Sequence, residues 1–165
     1  MGIPVQNPFD PLMLLMNNPN APDPSIAQII SSLLQTDWAL ASPGVKDITW
    51  ATTRFDAAQD VPANFVISCY NPAGPVTAEP LSREAWQILE DVVVDILVRV
   101  SAGTALAIST RESIRQQVYS IIQANQFNVP TCSDIWPLRE KEKVESPELM
   151  RLTIMFRCRS FKITT

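Results

Sequence analysis

The chain has no histidine among its 165 residues. That absence excludes Ser-His-Asp and Cys-His nucleophilic mechanisms and any histidine-ligated metal. Glycine is scarce, at four residues, and neither GxGxxG nor GxxxxGK occurs, so no glycine-rich loop is available to cradle a phosphate. Cys69, Cys132 and Cys158 are too few and too widely spaced for a disulfide framework or a zinc site. They read as buried or half-buried free thiols in a reducing compartment. No stretch approaches the ~18 apolar residues of a membrane span. The N-terminus has no basic region, and its apolar run from Pro11 to Met16 is too short and proline-broken for a signal peptide. The expectation is a protein assembled in the cytosol. A net charge of −4 gives no whole-chain footprint for nucleic acid.

What is present is a core. Hydrophobic residues make up 46% of the chain and charged residues 18%, too apolar for wholesale disorder. The length fits one domain. Proline is abundant, at fourteen residues, and most of it precedes residue 76. Residues 1–23 combine five prolines with Phe9, Leu12, Leu14 and Leu15. This apolar arm cannot form a long helix and is expected to lie across a surface, either its own or that of a neighbouring subunit. Residues 24–165 then form a single α+β domain.

The most informative stretch is WQILEDVVVDILVRV, from Trp86 to Val100. At period two, Trp86, Ile88, Val92, Val94, Ile96, Val98 and Val100 share one face, with Glu90 as the polar exception. The β-branched run argues for a strand rather than a helix. Burying those seven side chains contributes on the order of 10–20 kcal/mol before chain entropy is subtracted. Met150 to Ile163 alternates in the same way, with Leu152, Ile154, Phe156 and Cys158 against Arg151, Arg157 and Arg159. Asp91 and Asp95 on one long strand and the arginines on the other predict cross-strand ion pairs if the strands are neighbours.

Asp23-Pro24-Ser25 is a helix start with Asp23 at the N-cap, followed by the stripe Ile26, Ile29, Ile30, Leu33 and Leu34. Residues 46–55 and 64–70 read as two strands that could form a hairpin, and 76–84 as a loop. A second helix is expected over 111–126, capped by Thr110, with the stripe Ile114, Val118, Ile121 and Ile122. Residues 127–149 lack apolar periodicity and read as a long loop carrying the charge run Arg139 to Lys143. Glu90, Asp91 and Asp95 form the one tight acidic group. On a strand Asp91 and Asp95 are about 13 Å apart, too far to share one metal unaided. An enzyme is not expected, and neither is a cofactor or a metal.

The predicted fold is an α+β two-layer sandwich. A mostly antiparallel sheet of four strands or slightly more carries two amphipathic helices on one face, in the order α-β-β-β-α-β. The segments IAQIISSLLQTDW, DITWATTRF, NFVISCY, WQILEDVVVDILVRV, RESIRQQVYSIIQANQF and MRLTIMFRCRSFK, in that order, resemble the tail terminator (tail completion) proteins of tailed bacteriophages and archaeal tailed viruses. The resemblance covers about residues 24–163. It implies a non-enzymatic virion protein, assembled in the host cytoplasm, that forms a ring, typically a hexamer. Such a ring caps the tail tube, stops its growth and joins the tail to the head connector. The implied partners are further copies of the chain, the tail tube protein, the head connector or neck protein and a tail sheath, with DNA only passing through the lumen. Candidate contacts are Asp91, Asp95, Arg99, Arg151, Arg157 and Arg159 on the sheet face, Phe9, Leu12, Leu14 and Leu15 in the arm, and Trp136, Arg139, Lys141 and Lys143 in the 127–149 segment. Alternatives are another neck protein (head completion or connector), or a cytosolic small-ligand-binding α+β domain.

Overall fold

The computed structural model describes residues 24–55, 64–73, 76–100 and 103–163. The apolar arm, including Phe9, Leu12, Leu14 and Leu15, lies outside the described residues. The elements run α1 (Ile26–Thr36), β1 (Ile48–Ala51), β2 (Phe65–Tyr70), β3 (Thr77–Pro80), β4 (Ala85–Arg99), α2 (Thr104–Ala124), β5 (Asp134–Ser146) and β6 (Leu149–Ile163). The six strands form one sheet in the order β1-β2-β4-β6-β5. β3 pairs with the N-terminal half of β4, on the edge whose other half carries β2. Every pairing is antiparallel except β1 with β2. An α+β sandwich is what the sequence predicts, with two more strands than its element order contained.

β4 and β6 are the spine, paired over fifteen residues from Ala85↔Ile163 to Arg99↔Leu149. Their alternation sends Val92, Val94, Ile96 and Val98, with Met150, Leu152, Ile154, Phe156 and Cys158, to the helix side. There they meet Ile26, Ile29, Ile30 and Leu34 of α1 and Ile114, Val118, Ile121 and Ile122 of α2. Phe156 is fully buried and meets Tyr119 edge-to-face, with centroids 5.8 Å apart. Both apolar stripes face the sheet as their spacing predicts.

The start of α1 differs by two residues from the expectation. Ser25, not Asp23, is the N-cap: its Oγ accepts from the Gln28 N–H at 3.2 Å while Gln28 Oε1 accepts from the Ser25 N–H at 2.8 Å. This reciprocal box satisfies two otherwise unpartnered amides. Ser25→Ala is expected to cost about 0.5–2 kcal/mol, read as a shift of the urea midpoint at unchanged slope.

Four other expectations are corrected. β1 and β2 do not form a hairpin but run parallel. The chain leaves β1 over the sheet rather than turning at its edge: the Thr53 carbonyl accepts from Ser68 Oγ, and the Phe55 carbonyl accepts from Arg151 at 2.5 Å. The stretch read as a loop over 76–84 holds β3, fully exposed and held to β4 by main-chain pairing. α2 starts seven residues before Arg111, after Gly103 at φ +107°, a backbone conformation that suits glycine. Its first turns leave Leu106 56% and Ile108 45% exposed, so they carry no apolar stripe to read. The 127–149 stretch is not one long loop, because β5 occupies Asp134–Ser146 and returns through Pro147 and Glu148 into β6.

Candidate assembly surface

The sheet face opposite the helices carries Asp91 and Asp95 of β4, Asp134 of β5 and Arg151, Arg157 and Arg159 of β6 in register. Asp91 pairs directly across from Arg157, and the two make a two-point ion pair at 2.8 and 3.1 Å. Asp134 pairs across from Arg159 in the same way, at 2.9 and 2.5 Å. Each guanidinium is thereby held in one plane by a fork of two bonds. The Arg159 guanidinium also lies 5.7 Å from the Trp136 ring and 5.9 Å from that of Phe161.

Asp95 and Arg151 behave differently. They are 0% and 3% exposed. Asp95 accepts from Arg151 Nη1 at 2.5 Å, from Thr153 Oγ1 at 2.6 Å and from the Tyr70 hydroxyl at 3.1 Å. Arg151 Nε lies 2.7 Å from Glu145 Oε1, and Glu145 also meets Lys143 at 2.9 Å. Burial and the Asp95 carboxylate together push the Tyr70 hydroxyl up to about 12. The expectation that Asp95 and Arg151 offer subunit contacts on the sheet face is therefore corrected. Asp95 and Arg151 are sealed inside the chain, beside a small apolar cluster of Val66, Leu97 and Leu149 against which Phe55 packs. They cannot meet another subunit without local opening. Asp91, Arg157 and Arg159 stay partly exposed, as do Arg99 and Trp136.

Glu90 faces the helix side, and among the described residues it bonds to no arginine. It accepts from Asn71 Nδ2 at 2.7 Å, and burial raises its carboxyl above the ordinary range. The acidic trio is thus divided among three different partners: Asn71 for Glu90, Arg157 for Asp91 and Arg151 for Asp95.

β5 brings Arg139, Lys141 and Lys143 to one face and Glu140 and Glu142 to the other. The acidic side clasps α2. Glu140 takes Arg115 at 3.0 and 3.1 Å and the Tyr119 hydroxyl at 2.9 Å, and Glu142 takes Arg111 at 3.0 Å. Arg111 is buried beneath this contact. The hydrogen bonds from Arg115 hold the Glu140 carboxyl below the ordinary range. The basic side is exposed, and among the described residues neither Arg139 nor Lys141 has an acidic partner. β5 is also the terminal strand of the sheet, so its outer edge has no neighbouring strand among the described residues. Edge strands of this kind offer a row of main-chain groups for pairing with another chain. The signal that locates this edge is in the sequence: charge alternates in sign at every residue from Arg139 to Lys143, which is period two.

Against known proteins, no protein-family model matches the chain, and no curated protein does. Among solved structures, the fold is similar to a chain from the virion of a native gene transfer agent (GTA) particle. The TM-score is 0.55 at 19% identity, and the match covers 79% of this chain and 90% of that one.

Proposed function

We propose that this chain is a non-enzymatic structural protein of a virion-like particle, and that its role is that of a tail terminator. It forms a ring that caps the tail tube, halts its growth and presents its far side to the head connector. The observation that carries this reading is the likeness to a chain of a gene transfer agent virion, which spans nearly the whole of that chain. The commitment of Asp91 and Asp95 to guanidinium groups also fits a scaffold better than acid–base or metal chemistry.

A closed ring of identical subunits needs two different patches that meet head to tail. The patches best suited are two edge strands of the sheet on opposite sides of the β4–β6 spine. One is β5 with Arg139 and Lys141; the other is β3, exposed at all four residues and carrying Glu79. The basic edge of one copy would lie against the acidic edge of the next, in charge register. The functional test is tube growth. Tail-tube subunits polymerising in the presence of this chain should yield short tubes with added density at one end. Tubes of unchanged length distribution would refute the terminator role.

A further inference from the structure

A cleft of about 270 Å³ opens between the start of α1 and the ends of β4 and β6, lined by Pro24, Ile26, Glu90, Cys132 and Cys158 among others. Two of the three thiols meet there. Cys158 projects to the helix side of β6, opposite Ile135 of β5, and is buried. Cys132 sits in the connection from α2 to β5 and is half-buried. Next to it, the Ser133 N–H donates to the Arg159 carbonyl at 2.7 Å, pinning the connection against β6. The Cys132 thiol donates to the Asp134 carbonyl at 2.8 Å, and both sulfur-bearing side chains border the same cleft.

We infer that Cys132 and Cys158 are a reactive dithiol, reduced during assembly and closed to a disulfide by a small disulfide oxidant such as oxidised glutathione. If the chain is a virion component, a point taken from the preceding section, the setting for closure is the particle after release from the reducing host. The two thiols have unequal parts. The Cys158 thiol and the Arg159 main-chain N–H favour the thiolate of Cys132, lowering it, while the same contact and burial raise Cys158. Cys132, the more exposed of the two, is the attacking sulfur and the buried Cys158 the resolving one. The Cys132 thiolate attacks one sulfur of oxidised glutathione, forming a mixed disulfide and releasing one glutathione thiolate. Cys158 then gives up its proton and attacks the Cys132 sulfur, forming the Cys132–Cys158 bond and expelling the second glutathione. The protein loses two electrons and two protons, and two reduced glutathiones carry them away. The closed bond ties the α2–β5 connection to the sheet. Cys69 takes no part, because it is fully buried and pushed up to about 12.

The test treats the full-length reduced chain with oxidised glutathione. Denatured thiol titration should fall from three thiols to one, peptide mapping should join Cys132 to Cys158, and Tm should rise by roughly 5 °C or more. Dithiothreitol should reverse both changes, and Cys132→Ser should show neither. An unchanged thiol count, a glutathione adduct persisting on Cys132, or a bond that leaves Tm unmoved would overturn the inference. All readouts come from the isolated chain. Failure here leaves the virion reading standing, and failure of ring formation leaves the dithiol standing.

Discussion

Arg151→Ala is expected to destabilise the chain by about 3–5 kcal/mol, because it strands the Asp95 carboxylate where water cannot reach it. For a chain of this length that is a fall in Tm of roughly 6–20 °C. Three donors converge on Asp95, and only one is removed; the Tyr70 and Thr153 hydroxyls cannot replace a full positive charge. The substitution also frees the Phe55 carbonyl and takes a cation from beside Glu145, so the path out of β1 and the tip of the β5–β6 hairpin both lose an anchor. The control is the double variant Asp95→Leu with Arg151→Met. Without an unpaired charge it should cost clearly less than the sum of the singles. A residual of about 1–3 kcal/mol should remain for each hydroxyl left without an acceptor. Urea denaturation of the unmodified chain, Asp95→Leu, Arg151→Met and the double variant closes the cycle. A loss below ~1 kcal/mol for Arg151→Ala would mean that the pair is solvated in practice, contradicting its burial.

The second large effect is on assembly rather than folding. Arg139→Glu with Lys141→Glu places two carboxylates on the basic face of the edge strand β5, where both native side chains are exposed. Fold stability should change by no more than ~0.5 kcal/mol, since no charge partner among the described residues is lost. Ring formation should fail, because the reversed edge would face Glu79 of the next copy with like charge. Adding Glu79→Lys should restore closed rings, since the reversal then sits on both sides of the interface. Rings that close equally well in the Arg139→Glu/Lys141→Glu variant would place the subunit contact elsewhere. Arg157 and Arg159 are poorer probes of the same question. Each is fork-bonded within the chain, so reversing them would disturb the sheet as well as any interface.

The elements that were legible in the sequence are those that bury one face. β4 shows a period-two apolar pattern broken only at Glu90, β6 shows one from Met150 to Cys158, and both helices carry their stripes at the expected positions. β3 and β5 escaped an apolar reading for a physical reason: β3 buries nothing, and β5 buries only Asp134 and Ile135. Their stability comes from main-chain pairing, which leaves no trace in hydropathy. For β5 the alternation of charge was the available signal. The parallel β1–β2 pair was hidden because a connecting segment shows its length but not its path. Opposite charges on the two long strands pointed to pairing, and Asp91 with Arg157 meets that expectation. Yet strand alternation alone does not tell which pair will be covered. Asp95 and Arg151 are sealed by Phe55, 96 positions from Arg151, and by Glu145 across the β5–β6 hairpin, while Asp91 and Arg157 remain partly open. Likewise the convergence of Cys132 and Cys158 depends on how the α2–β5 connection folds against β6, which three widely spaced cysteines do not reveal.

The ring is the central claim, and the mass of the purified protein by light scattering, with negative-stain imaging of the same peak, tests it most directly. The account predicts a closed assembly around a central hole; closure rests on head-to-tail contact of two unlike edges, and a copy number of about six on the resemblance to tail terminators. A monomer at every concentration, or an open filament that never closes, would contradict it.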